Sequence, residues 1–202
     1  MKAKYILSVS ALVLSMGLSS CVGDLDVTPI DPSTSMTSDP DALFNKCYAN
    51  FAMAGNGGAN GDCDIDGLDG GTTGYWRQLF NANELTSDEA ICGWGDQGIS
   101  DFIFNSWGAS HPMLKGYYYR LYFGVTMCNF YLEECPEHDA TMSAEVRFLR
   151  AYHYFQLLDC FGPNIPFLTV MSAENAPRAE GNQVFDFIES ELLDIEASLD
   201  AP

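Results

Sequence analysis

Cys21 is the first residue whose setting specifies a reaction. It follows Leu18-Ser19-Ser20, behind a basic start at Lys2 and Lys4 and an apolar run from Tyr5 to Leu14. That run is about ten residues long, against roughly 20 needed to span a hydrocarbon core of about 30 Å. It therefore reads as a cleaved leader and not as a membrane span. An ordinary secretory leader ending at Ser20 needs no thiol at the new N-terminus. A lipoprotein leader does, because a diacylglycerol is joined there through a thioether. The sequence predicts residues 1–20 as a lipoprotein signal peptide, Cys21 as the lipidated residue, and a membrane contact made through the N-terminal lipid.

Other clusters offer less chemistry. Asp62-Cys63-Asp64-Ile65-Asp66-Gly67-Leu68-Asp69 puts oxygen ligands on alternate positions and a glycine at the sixth, as the start of a calcium loop does. The twelfth position is Thr73, where a bidentate Glu is needed, and the flanks are glycine-rich. The segment is read as a tight loop held by Asp side chains bonding backbone amides. Cys135-Pro136-Glu137-His138 carries half a zinc spacing and no second half. His111, His138 and His153 have no Ser or Cys in a nucleophile motif nearby, and no phosphate-binding glycine pattern precedes a helix. Carboxylates for glycoside hydrolysis need a set separation across a cleft, and twenty-eight Asp plus Glu nominate no pair. Neither a metal nor another cofactor is expected, and the chain is read as a protein without enzyme activity.

Nine Lys plus Arg against those acids give a net charge of −19, and loss of Lys2 and Lys4 with the leader takes it to −21. Such a body repels nucleic acid and anionic headgroups, so nucleic acid is excluded as a partner and membrane attachment falls to the lipid. Asp24 and Asp26 lie within five positions of Cys21, and no basic residue follows until Lys46. An acidic start of this kind resembles a surface-export signal of bacterial lipoproteins; a solvated linker is the plainer alternative. Residues 21–38, polar and punctuated by Pro29 and Pro32, read as a tether.

Residues 39–202 read as one helical domain. Nearly half of the chain is apolar and aromatics reach 13%, enough for one core at about 182 mature residues. Asp39-Pro40 starts a helix that carries Leu43, Phe44, Cys47, Tyr48, Phe51 and Ala52 and stops at Gly55 to Gly58. A second runs from about Pro112 to Glu134, through Tyr117, Arg120, Leu121, Gly124 and Cys128. A third runs from about Thr141 to Phe161, and a fourth from about Asn182 to Leu199, with Val184, Ile188, Leu192, Ile195 and Leu199 on its apolar stripe. Two long helices with a tight connection make an antiparallel hairpin, the repeating unit of TPR-like solenoids. The expected fold is mostly α: TPR-like helical hairpins with long irregular loops. Of the cysteines besides Cys21, Cys47, Cys128 and Cys160 fall among apolar helix neighbours and read as free. At most one disulfide is expected, with Cys63 and Cys92 the candidate pair.

The third helix carries a resemblance. Glu145-Val146-Arg147-Phe148-Leu149-Arg150-Ala151 leads through Tyr152, Tyr154 and Phe155 to Asp159-Cys160-Phe161-Gly162-Pro163. This resembles the signature helix of the SusD/RagB family: Arg-Phe-Leu-Arg-Ala, then aromatics, an Asp-x-Phe-Gly turn and a Pro. Asp24-Leu25-Asp26-Val27-Thr28-Pro29, Asn83 to Ala90, and the Tyr117 to Leu132 helix with its Cys128-Asn129 pair follow in the family's order. The resemblance implies a surface-exposed, lipid-anchored protein of the outer membrane. It would capture oligosaccharides and pass them to a SusC-type TonB-dependent transporter, without catalysis.

Sugars are held by an aromatic face against the apolar face of a pyranose, with planar polar side chains on paired hydroxyls. Trp94 lies between Gly93 and Gly95, with Asp96 and Gln97 beside it and Arg77 following Tyr75-Trp76. In starch-binding members an Arg, a Trp seventeen residues later and an amide three further on contact the sugar. Arg77, Trp94 and Gln97 match that spacing, with Gln97 in place of a shorter amide. The implied glycan-binding set is thus Trp94, Arg77, Gln97 and Asp96. Read without the resemblance, Trp94 is a loop anchor packed on the domain and Arg77 makes a helix-surface ion pair with a nearby acid. Trp76 and Trp107 are read as core.

Two functions stay open at this point: glycan capture, and a structural or docking lipoprotein that binds no sugar. Trp94 and Arg77 on one exposed concave face favour the first, and a buried Trp94 the second. Family members are more than twice this long, so the resemblance also implies a C-terminally truncated chain, with weak sugar affinity and poor solubility.

Overall fold

The computed structural model describes residues 39–55 and 63–199. The leader, Cys21, the tether and Asp62 lie outside them. Six α-helices follow in order: α1 (Pro40–Ala52), α2 (Tyr75–Asn83), α3 (Ile99–Ile103), α4 (Pro112–Glu134), α5 (Ala140–Phe161) and α6 (Gln183–Ile195), the last running into a 3-10 turn at Glu196–Ser198. Among the described residues the sole β pairing is one bridge between Pro166 and Arg178. None of the described helices is long and apolar enough to cross a membrane.

The long helices start where their caps dictate. The Asp39 carboxylate accepts from the amides of Asp41 and Ala42 at 3.1 and 3.2 Å, with Pro40 in the first turn. Asp139 does the same for Met142 at 2.8 Å. At α4 the cap is His111, whose Nδ1 accepts from the Leu114 amide at 3.2 Å. Side-chain pairs fix the direction of packing. Tyr117 donates to Gln156 at 3.1 Å and Arg150 to Asn129 at 2.9 Å, so α4 and α5 run antiparallel. Tyr154 meets Phe187, and Arg147 meets Asp194, so α6 runs antiparallel to α5. This is the TPR-like hairpin array expected from the sequence, except that α6 ends at Ile195, short of Leu199. The glycine-rich stretch between α1 and α4 also holds two short helices that periodicity did not reveal.

Tyr75, Tyr117, Leu121, Val125, Tyr154 and Leu157 form the central core. Each large apolar side chain buried this way contributes about 1.5–3 kcal/mol. Gly124 lets α4 approach closely, because a Cβ there would collide with the side chains of His153 and Asn50. Cys47 and Cys128 are fully buried beside Tyr131, as small hydrophobes. All six described cysteines are free. The Cys63–Cys92 pairing is not made: Cys63 Sγ lies 3.3 Å from the Thr73 hydroxyl, while Cys92 packs against the Leu85, Ile99, Phe102 and Met113 cluster.

The assignment of Trp76 and Trp107 to the core is wrong, since they are 59% and 42% exposed. Tyr75 takes the inward place on α2, and one residue further along a helix of 3.6 residues per turn points well away from it. Phe102 likewise fills the core, with the Trp107 ring 6.1 Å outside it.

Candidate functional site

The segment leading into α2 is positioned by a buried arginine. Arg120 on α4 is fully buried. Its Nε donates to the Thr73 carbonyl at 3.2 Å, its Nη1 to Asn50 Oδ1 at 3.1 Å, and its Nη2 to the Ala54 carbonyl at 3.2 Å and Asp64 Oδ1 at 2.7 Å. Lys46 meets the other oxygen of Asp64 at 3.2 Å. Burial alone would raise the Asp64 carboxyl, but hydrogen bonds and charge from Arg120 and Lys46 win and hold it below the usual carboxylate range. The acidic segment, read as a tight loop, thus spends Asp64 on two cations, while Asp69 Oδ1 accepts from the Thr72 amide at 2.9 Å. Among the described residues no group of three or more His, Cys, Asp or Glu is gathered for a metal.

Just beyond this clasp, α2 carries Arg77 outward. Its Nη1 donates to the Gly71 carbonyl at 2.8 Å and its Nη2 to Asp96. The same guanidinium lies over the Trp94 ring, 5.2 Å from its centroid, a cation–π contact worth about 0.5–1 kcal/mol at an exposed site. Trp94 itself is 67% exposed. The far end of its loop is pinned by His111, whose Nε2 faces the Gly98 carbonyl at 3.0 Å while Nδ1 caps α4. With Nδ1 accepting, Nε2 carries the proton and donates. Gly98 has φ of +97°, and a Cβ there would strike the His111 ring, so the residue is required to be glycine.

Arg77, Trp94 and Asp96 therefore converge across nineteen residues of sequence. Gln97 is exposed next to them on the same loop. The ion-pair reading of Arg77 and the sugar-contact reading are compatible, because Asp96 and Gly71 fix the guanidinium without burying it. The arrangement is an indole face on a loop held at Asp96 and Gly98, with a planar cation, a carboxylate and an amide at its rim. It has donors and acceptors for hydroxyls, and it gathers no nucleophile with a base.

Sequence reasoning missed His111 as a loop clamp and Arg120 as the organiser of the α2 approach. Arg120 did lie on the apolar stripe read for α4, and a charged residue on such a stripe is the signal that a buried partner exists. Arg147 and Arg150 belong to the signature motif, which by itself gives them no role. Both bind Glu191 of α6, at 2.7 and 2.8 Å, so the signature helix uses its arginines to dock the next helix.

No family model matches the chain. The starch-binding protein SusD of Bacteroides thetaiotaomicron is 38% identical over 211 aligned residues, covering 100% of this chain and 38% of that protein. A SusD superfamily protein from Parabacteroides distasonis superposes with a TM-score of 0.55 at 21% identity, over 78% of this chain and 33% of that one. A SusD-like protein from Bacteroides fragilis gives 0.53 at 22% identity, over 87% and 33%. The two superpositions speak to the fold and the alignment to descent. Over its whole length, which is 38% of its curated relative's, the chain is similar to the SusD/RagB family.

Proposed function

We propose that the protein is a cell-surface lipoprotein of the outer membrane that captures oligosaccharides and delivers them to a SusC-type TonB-dependent transporter. In this reading Cys21 carries the lipid, residues 21–38 are the tether, and Trp94, Arg77, Asp96 and Gln97 form the sugar platform. The observation that carries it is Trp94: a tryptophan 67% exposed on a loop tied down at Asp96 and Gly98, with a guanidinium already stacked over its ring. Exposed indole is costly to hold in water without a use, and pre-orienting it lowers the entropy lost on binding. The relative's starch-binding name supports α-linked glucose chains as the first ligand class to try. Gln97 has one more methylene than the amide of starch-binding members, so its carboxamide reaches further from the backbone. No enzyme activity belongs to this reading; the platform binds and releases.

Calorimetric titration of the full chain with maltoheptaose and other neutral linear oligosaccharides tests the platform. At least one should bind, and Trp94→Ala should weaken it at least about tenfold. Unchanged binding in Trp94→Ala would remove the platform from the reading.

A further inference from the structure

The residue before Arg77 opens a second site. Trp76, Phe80 and Asn83 share one face of α2 at i, i+4 and i+7, turned away from the Trp94 loop. Trp76 and Phe80, with Phe155 of α5, wall a cleft of about 710 Å³. A second cleft of about 800 Å³ adjoins it, walled by Trp107, Tyr118, Tyr119 and Lys115. The two share Asn83 and Asp159, so they form one elongated groove across the ends of α2 and α5. Each part is within the range of small-molecule sites, about 300–1,000 Å³. Neither Arg77 nor Trp94 lines it.

The lining identifies the kind of ligand. Trp76 and Phe80 are 59% and 50% exposed at one end, and Trp107 and Tyr119 are 42% and 46% exposed at the other. Between them stand a carboxylate, Asp159, and an amide, Asn83, whose Nδ2 donates to the Leu79 carbonyl at 2.8 Å and is thereby fixed in orientation. Lys115 holds its ammonium 5.7 Å from the Tyr119 ring centroid, offering donors at the aromatic wall. Aromatic faces at both ends with donors and acceptors between them suit a ligand with apolar faces and hydroxyl edges, repeated along a chain. Asp159 and Glu84 outnumber Lys115 in the groove, in a chain of net charge −19, so an anionic ligand is disfavoured. The small cleft of Phe148, Ala151, Tyr152, Phe155, Ile188 and Leu192 differs, with no amide or charge in its lining. We propose that the Trp76–Asn83–Asp159–Trp107 groove is a second binding site for neutral oligosaccharide chains, separate from the Trp94 platform and occupied independently of it.

The chain's three tryptophans divide between the two sites: Trp94 on the platform, Trp76 and Trp107 at the ends of the groove. Fluorine NMR of the full chain labelled with fluorotryptophan, each resonance assigned by a Trp→Phe variant, therefore reads them separately. Titrated with maltoheptaose, cellohexaose, xylohexaose and laminarihexaose, the Trp76 and Trp107 resonances should shift saturably with at least one, and still do so in Trp94→Ala. Trp107→Ala and Asn83→Ala should each weaken the groove response at least about tenfold and leave the Trp94 response in place; circular dichroism checks that both fold. A shift confined to Trp94 would overturn the groove and leave the platform. Shifts at Trp76 and Trp107 with Trp94 silent would do the reverse. Groove resonances that move only with protein concentration would mark a polypeptide contact and overturn the proposal.

Discussion

Arg77 and Arg120 have the same kinds of neighbour: a backbone carbonyl, an aspartate and an aromatic ring. For Arg77 these are Gly71, Asp96 and Trp94; for Arg120 they are Thr73, Asp64 and Phe123, whose ring centroid is 5.4 Å away. The difference is water. The Arg120 side chain is wholly buried and its aspartate 16% exposed, while Arg77 and Asp96 keep 23% and 42% of theirs. In the interior every donor left unpaired costs free energy, so Arg120 is committed to structure. At the surface the same contacts are worth little to folding and leave the guanidinium free to accept a new partner. Partner type alone does not separate a structural arginine from a binding one; solvent access does.

The comparison breaks first at Arg120. Arg120→Met leaves Asn50 Oδ1 and the Thr73 and Ala54 carbonyls without their donor and Asp64 with Lys46 alone, and should cost about 3–5 kcal/mol, read as a lower urea midpoint. A loss below about 1 kcal/mol would show that the loop rearranges and that burial is not what commits this residue.

Acid sharpens it next. His153 is fully buried, with Nδ1 bonded to the Leu149 carbonyl at 2.7 Å and Nε2 against Asn50 at 2.9 Å. Its burial lowers its pKa to about 4 from 6.5. The unfolded chain then binds a proton that the folded chain refuses, so stability is complete above about pH 6.5 and falls as the pH drops toward 4, by about 3 kcal/mol. Asp64 and Glu191, whose carboxyls are held below their usual range, add their losses only as the pH falls further. Urea melts at pH 7 and pH 4.5 should show the decline, and His153→Gln should flatten it. An equal decline in the variant would assign it elsewhere.

The smallest expected effect on folding lies at the surface. Arg77→Gln should change stability by no more than about 0.5 kcal/mol, while sugar affinity falls about tenfold. A large loss of stability with affinity intact would move Arg77 into the same class as Arg120.

Local chemistry explains what the sequence revealed. Asp39, Pro40, Pro112 and Asp139 mark helix starts whatever surrounds them, so α1, α4 and α5 were readable nearly to the residue. The flanking glycines of Trp94 placed it in a loop, and the reading of it as an anchor packed on the domain gives way to a ring 67% exposed. The partner of Arg120 was not readable, because Asp64 lies 56 residues earlier in a loop without periodicity. Trp76 and Trp107 were misassigned because large aromatics ordinarily go inside, and nothing local shows that Tyr75 and Phe102 had already taken the inward places.

That division of aromatics has a spectroscopic consequence. The fully buried rings are chiefly tyrosines, at 75, 117, 131 and 154, while all three tryptophans face solvent. Indole emission from the native protein should already be red-shifted and change little on denaturation, whereas near-ultraviolet dichroism from the tyrosines should collapse. In this chain one chromophore reports the fold and another reports what touches its surface.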